Sequence, residues 1–169
     1  MPIEVERKFL VYKDRLPELI DGEHFIQGYL STDPQVRFRI IESTVIIGIK
    51  KVLGDGDCYE FEFPRHDMSA RDIRVMKSLA MWPPLEKTRY RVPHADLVWE
   101  IDVYGKRNTG LITADVELPY RSYDIDFPDW VREDGEITGN PYYTNVSLTR
   151  EPIDADGQAN VHRFRSFHI

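Results

Sequence analysis

The sequence predicts an α+β protein built mainly from antiparallel strands, in which eight strands close into a barrel with a charged interior and a few helices pack outside. Two observations predict this fold: short segments that alternate between apolar and charged residues, and turns in place of helices between most of them. A third is that the polar positions on most of these strands are formal charges, whereas a solvated sheet face usually mixes neutral polar and charged side chains.

The strand predicted at residues 3–11 sets the pattern for the rest of the chain. One of its faces carries Glu4, Glu6 and Lys8, and the other is mostly apolar, with Phe9 near its centre. Since side chains alternate along a strand, neighbouring positions on one face lie about 6–7 Å apart. Two carboxylates and an ammonium group therefore follow one another closely along a single face.

Seven further strands are predicted by the same alternation. They span residues 25–31, 36–41, 45–50, 58–63, 87–92, 98–104 and 111–118. Residues 54–57 read Gly-Asp-Gly-Asp, which predicts the turn of a hairpin between two of them.

Helices are predicted in the connections. Ser69 is followed by Asp72 and then by apolar residues at helical spacing, which predicts a capped helix over residues 69–80. Shorter helical segments are predicted within residues 12–20, 126–131 and 140–150. Residues 151–169 are polar and aperiodic, so we expect one domain over residues 1–150 followed by a C-terminal tail.

Composition narrows the classes of function. The 169-residue chain has a formal net charge of −7, which disfavours nucleic acid and anionic membranes as partners because both require an excess of Lys and Arg. Its single cysteine, Cys58, cannot form an internal disulfide, and no apolar run reaches the roughly 18 residues that span a bilayer. We therefore expect a cytoplasmic protein.

The charged positions suggest the ligand. Acids occur in pairs and bases occupy other strands, at Glu4/Glu6, Glu60/Glu62, Glu100/Asp102 and Asp115/Glu117, and at Lys8, Arg37/Arg39, Lys50 and Lys87/Arg89/Arg91. For any one strand a solvated outer face is the simpler interpretation. A dry core would not hold so many charges, because each unpaired buried ion costs several kcal/mol. A wet tunnel would hold them, with carboxylates for a divalent metal and bases for phosphates.

The segment Glu4-Val5-Glu6-Arg7-Lys8-Phe9 resembles the ExExK signature of the CYTH superfamily, the triphosphate tunnel metalloenzymes, and is especially similar to its bacterial inorganic triphosphatase branch. The resemblance extends from residue 3 to about residue 148. Further segments follow in the family's order, at Gln27-Gly28-Tyr29-Leu30, Arg37-Phe38-Arg39, Ile49-Lys50, Glu60-Phe61-Glu62, Lys87-Thr88-Arg89-Tyr90, Glu100-Ile101-Asp102 and Asp115-Val116-Glu117.

The resemblance implies an eight-stranded tunnel that uses Mg²⁺ or Mn²⁺ to cleave a terminal phosphoanhydride of a triphosphate or polyphosphate, most simply inorganic tripolyphosphate. It implies metal ligands at Glu4, Glu6 and Glu117, with Asp115 close by where the family more often has Glu. It implies a phosphate cradle formed by Lys8, Arg37, Arg39, Lys50, Lys87 and Arg89.

It also implies catalytic roles for Lys8 and Tyr29, since Tyr29 is similar to a tyrosine that pairs with the lysine of the signature. Glu60, Glu62, Glu100 and Asp102 either bind metal as further tunnel acids or pair with neighbouring bases. Tyr142 stands where a basic residue is common in the family.

Alternatives keep the tunnel and change its use. A class IV-type adenylyl cyclase and a nucleoside or thiamine triphosphatase would act on organic triphosphates, and a non-catalytic module would bind polyphosphate without cleaving it. Family members often dimerise, so the resemblance also implies a homodimer.

Overall fold

The computed structural model describes residues 5–52 and 58–153. Nine antiparallel strands form one sheet in the order β5-β4-β3-β2-β6-β7-β8-β1-β9. They are β1 (Val5–Val11), β2 (Glu23–Thr32), β3 (Gln35–Ile41), β4 (Thr44–Val52), β5 (Cys58–Arg65), β6 (Leu85–His94), β7 (Leu97–Tyr104), β8 (Ile112–Leu118) and β9 (Val131–Glu136).

Helices are few and short in the described part of the chain. They are α1 (Ala70–Ser78) and α2 (Asn145–Arg150), with 3₁₀ turns at Lys13–Arg15, Lys106–Asn108 and Pro141–Tyr143. None of the helices in these two ranges has the length and apolar character that crossing a membrane requires.

The predicted antiparallel α+β architecture is confirmed, but the strand count of eight is wrong. Residues 126–131 form no helical turn, and the chain instead enters β9, which pairs with β1. The polar sequence of β9 carries no apolar alternation, so its strand conformation depends on that pairing and not on a local signal. In the two described ranges β5 and β9 end the strand order and no pairing joins them, so the closed barrel is not what these residues form. The turn predicted at residues 54–57 and the tail from residue 154 lie outside the described residues.

The capped helix predicted from Ser69 is confirmed as α1. The Asp72 amide donates to the Ser69 hydroxyl at 3.1 Å, and the Ser69 amide donates to the Asp72 carboxylate at 3.4 Å. Such a reciprocal cap stabilises a helix by about 1 kcal/mol. Ile73 and Met76 of this helix pack against the buried cluster centred on Phe38. One part of the sheet's apolar face is thereby covered.

The remaining apolar face is covered by the connection between β8 and β9. Trp99 of β7 is fully buried there, with Trp130 at a ring-centroid distance of 5.7 Å and Phe127 at 6.2 Å. A second cluster joins Leu10 and Tyr104 to Tyr143 and Leu148, with Tyr142 at its rim. The predicted helical segment within residues 140–150 is therefore confirmed, and it packs against one end of the sheet's other face.

Candidate functional site

The strand register gathers the predicted charged residues on one face of the sheet, which we call the charged face. Glu6 lies opposite Glu117 and Lys8 opposite Asp115 between β1 and β8, and Asp115 in turn lies opposite Glu100 of β7. The described members of the charged face are Glu6, Lys8, Gln27, Tyr29, Arg37, Arg39, Lys50, Glu60, Glu62, Lys87, Arg89, Glu100, Asp102, Asp115 and Glu117. Glu4 lies outside the described residues.

Asp102 joins two bases in a buried ion-pair triad. Lys87 Nζ lies 2.7 Å from Asp102 Oδ2, and Arg89 donates to both carboxylate oxygens at 2.8 Å. The Lys87 and Asp102 side chains are 1% and 0% exposed. Burial alone would raise the pKa of Asp102, but the hydrogen bonds and charges of Arg89 and Lys87 lower it to about 2. Burial lowers the pKa of Lys87 to about 8 against the attraction of Asp102.

Three other tunnel acids also pair with bases. Glu100 lies 3.0 Å from Arg89 Nη1. Glu60 and Glu62 accept from Arg37 Nη2 at 2.7 and 3.2 Å. The side chain of Arg37 reaches them across Gly48, where a Cβ atom would lie only 2.9 Å from Arg37 Nε. The sequence left two roles open for four acids, metal binding or pairing with a base. In the structure all four pair with bases, namely Glu60, Glu62, Glu100 and Asp102.

One of the two carboxylate oxygens of Asp115 is unpartnered among the described residues. Its Oδ2 lies 3.7 Å from Lys8 Nζ, whereas its buried Oδ1 has no hydrogen-bond partner among the described residues. Burial raises the pKa of Asp115 to about 7, against the opposing charge of Lys8. Next to it, Glu6 and Glu117 face each other across two strands, an arrangement that is unfavourable for like charges. A cation near these three carboxylates would pair with the free Asp115 oxygen and would offset the repulsion between Glu6 and Glu117.

These three residues fit a hard divalent cation, because Mg²⁺ and Mn²⁺ prefer carboxylate oxygen. No group of three or more His, Cys, Asp or Glu side chains in residues 5–52 and 58–153 has the geometry of a preformed metal site. The predicted fourth acid, Glu4, is outside those ranges. Among the described residues, the unpartnered Asp115 oxygen and the opposed Glu6 and Glu117 side chains are the features that would suit a cation.

Tyr29 and Arg39 are linked through Gln27, which sequence reasoning did not select. The Gln27 amide nitrogen donates to the Tyr29 hydroxyl oxygen at 2.8 Å, and Arg39 Nε donates to the Gln27 carbonyl oxygen at 3.1 Å. The predicted contact between Tyr29 and Lys8 is absent from the described part of the structure, where Lys8 pairs with Asp115. The available sequence signal was that Gln27 lies between Phe25 and Tyr29 on one strand face.

Lys50 lies towards the edge of the charged face. It is opposite Gln35 on β3 and Glu60 on β5. Its side chain is exposed and makes no ion pair with any described carboxylate. Its charge is therefore free to meet an anion from solvent.

Comparison with known proteins identifies relatives of the chain and similar structures. No family model matches the chain. Over 151 residues it is 31% identical to the inorganic triphosphatase of Acetivibrio thermocellus, an alignment that covers 88% of this chain and 94% of that protein. The crystal structure of the inorganic triphosphatase NE1496 matches with a TM-score of 0.66 and 26% identity, over 88% of this chain and 95% of that one. A second crystal structure, of the hypothetical protein NE1496, matches with a TM-score of 0.65 and 25% identity, over 87% of this chain and 97% of that one.

The fold is an antiparallel sheet that carries acids and bases together on one face, as the sequence predicts. With the sequence relationship, the chain belongs to the CYTH superfamily of triphosphate tunnel metalloenzymes, in its inorganic triphosphatase branch. The family predicted from the sequence is confirmed, and membership implies dependence on a divalent metal.

Proposed function

We propose that this protein hydrolyses inorganic tripolyphosphate to orthophosphate and pyrophosphate on the charged face, with Mg²⁺ or Mn²⁺ as the metal. The observation that carries the proposal is the segregation of charge. Among the described residues, Glu6 of β1 and Glu117 of β8 have no base as an ion-pair partner, whereas Lys and Arg side chains occupy the same face on β6, β3 and β4. Relatives described as inorganic triphosphatases support the choice of substrate.

Glu6, Glu117 and Asp115 would hold the metal, together with Glu4 on the evidence of the ExExK signature. When bound, the metal supplies positive charge at the phosphate oxygens and acidifies the attacking water. Lys8 belongs to the same part of the charged face, because its Nζ lies 3.7 Å from Asp115 Oδ2. That position suits it to stabilise the oxygen that leaves when the terminal phosphoanhydride breaks.

The phosphate cradle would consist of Lys8, Arg37, Arg39, Lys50, Lys87 and Arg89. Phosphoryl transfer depends on positioning and on neutralising the non-bridging oxygens, and guanidinium groups do both. Burial raises the pKa of Tyr29, so its hydroxyl is neutral near pH 7 and can donate a hydrogen bond to a phosphate oxygen.

Phosphate release tests the proposal. Tripolyphosphate, ATP and pyrophosphate are assayed in parallel with Mg²⁺, Mn²⁺ or EDTA. We expect metal-dependent release from tripolyphosphate in the wild type and a loss of at least about 100-fold in Glu6→Gln, since removing one contact of this kind from a catalytic site commonly costs that much.

Glu18→Gln is the matched control, because Glu18 is an exposed acid in the connection between β1 and β2. We expect it to keep wild-type activity. Full activity in folded Glu6→Gln would contradict the metal assignment. Pyrophosphate with a cyclic nucleotide from ATP would favour the cyclase alternative, and tripolyphosphate binding without turnover would favour a binding module.

Other features of the prediction extend this proposal. We expect the nine strands to curve around the substrate as a tunnel, residues 151–169 to form a tail beyond the domain, and the protein to work in the cytoplasm as a homodimer. Light scattering on the purified protein measures the oligomeric state directly.

A further inference from the structure

We propose that Gln27 is a positioning residue that orients Arg39 for a substrate phosphate without neutralising its charge. The inference rests on the proposed function, because it takes a polyphosphate as the anion that Arg39 binds. It begins from how Arg39 is held. Lys8, Arg37, Lys87 and Arg89 each pair with a carboxylate, whereas no described carboxylate pairs with Arg39.

Arg39 is half-buried, and no described carboxylate forms an ion pair with it, although the charge of Glu62 acts on it from further away. Its Nε donates to Gln27, and its guanidinium carbon lies 5.2 Å from the centroid of the Phe25 ring. Burial, followed by the nearby charges of Arg37 and Arg89, lowers the pKa of Arg39. A partly desolvated cation without a direct ion-pair partner is unfavourable, so an anion that arrives on the charged face is stabilised by pairing with it. The terminal nitrogens of Arg39 remain available for a bidentate phosphate contact.

The orientation of the Gln27 amide follows from chemistry. An arginine side chain only donates hydrogen bonds, so the atom that faces Arg39 Nε must be the amide oxygen. The amide nitrogen then faces Tyr29 and donates to its hydroxyl oxygen. Tyr29 is thus an acceptor in this contact, and its own O–H stays free to donate to substrate. Gln27 is 0% exposed, so both of its bonds lie out of competition with water.

Glutamate in place of Gln27 would change the charge next to Arg39. A carboxylate 3.1 Å from Arg39 Nε would form an ion pair and cancel the charge that attracts phosphate. A neutral amide fixes the guanidinium by one hydrogen bond and leaves its charge intact. This difference separates a positioning role from a packing role, because Glu and Gln have almost the same shape.

The test uses two substitutions at Gln27 in the full chain. Gln27→Met keeps the volume and removes both hydrogen bonds, and Gln27→Glu keeps the shape and adds charge. Binding of tripolyphosphate is measured by calorimetry in EDTA, and KM and kcat are measured with metal. We expect each variant to raise Kd and KM by about 10- to 100-fold, the range for a lost hydrogen bond to a charged group, with a smaller change in kcat.

Coupling to Arg39 identifies the route. In an Arg39→Lys background, Gln27→Met is expected to change Kd by less than about threefold, because the group that it orients is already gone. Asn108→Leu is the structural control. Asn108 is also a buried amide, and its side chain is bonded to the Leu148 carbonyl and the Ile153 amide and to no member of the charged face. It should lower the melting temperature and leave Kd unchanged.

The outcomes are distinguishable. A wild-type Kd in folded Gln27→Met, or an equal loss in the Arg39→Lys background, would overturn the inference while the proposed hydrolysis stands. If Gln27→Met does not fold, Gln27→Glu gives the same decision. Should the wild type bind tripolyphosphate without cleaving it, the hydrolase proposal fails and the calorimetry still tests Gln27. Absence of binding in the wild type would overturn both.

Discussion

Replacing Asp102 by Asn isolates the contribution of the buried triad to stability. The substitution keeps the shape of the side chain and removes the negative charge between Lys87 and Arg89. Lys87 is 1% exposed, so water cannot take over the lost interaction. Two cations would then share a buried position without an anion.

The magnitude follows from two estimates. The pKa of Asp102 is about 2 in the folded protein, against about 3.9 for an exposed aspartate, and at 1.36 kcal/mol per pKa unit this difference contributes about 2.5 kcal/mol at pH 7. Removing one partner of a buried pair costs about 3–5 kcal/mol, because the remaining charge stays unpaired. The second estimate includes the cost to Lys87 and Arg89, and we expect Asp102→Asn to fall within its range.

The assay is urea unfolding of metal-free protein at pH 7 and across pH 2–5. Because the folded pKa of Asp102 is depressed, its contribution is present above about pH 4 and is lost as the pH falls towards 2. In Asp102→Asn, the free energy of unfolding should not show the fall between about pH 4 and 2 that Asp102 causes in the wild type. Glu60→Gln is the control, since Glu60 pairs with Arg37 but is 39% exposed, and it should cost less than about 1 kcal/mol. Equal losses in the two variants would refute the reasoning.

Two further substitutions probe the acids and the glycine of the charged face. The folded pKa of Asp115 is raised to about 7, so its contribution to the stability of the metal-free wild type falls by up to about 4 kcal/mol as the pH rises from 4 to 7. The Asp115→Asn variant should not show this loss. Thermal unfolding at pH 4 and 8 measures this, and the same variant should need more metal for activity. Gly48→Ala places a Cβ 2.9 Å from Arg37 Nε and should weaken tripolyphosphate binding several-fold, measured by calorimetry, with less than about 1 kcal/mol of stability lost.

Local patterns explain which parts of the fold the sequence predicts. The alternation of apolar and charged residues identified eight of the nine strands, and the Ser69 and Asp72 side chains identified the start of α1. The strand β9 has no such pattern. It is held by the Ile137 amide, which donates to the Lys8 carbonyl at 2.8 Å, and by the ion pair of Arg7 with Glu136 at 2.7 Å. These contacts join residues more than 125 positions apart, so no short window of sequence contains them.

In the candidate site too, local patterns predict some features and long-range contacts determine the others. Alternation predicts which side chains share the charged face, but the partner of each base depends on strand register. Asp102 meets Arg89 because β6 and β7 pair with these residues opposite each other. Gln27 was missed because it is uncharged, and its importance is visible only when Arg39 and Tyr29 are placed on either side of it.

The bases of the charged face therefore differ in how much charge they offer to a substrate. Lys87 and Arg89 share one buried carboxylate, so much of their field is already balanced and their main effect is to hold a fixed geometry. Arg39 is held by a neutral amide and forms no ion pair with a described carboxylate, in a position that is partly shielded from water. Charge interactions strengthen where water is excluded. The attraction for a polyphosphate should consequently be greatest near Arg39, between the rigid triad on β6 and β7 and the exposed Lys50 at the edge of the sheet.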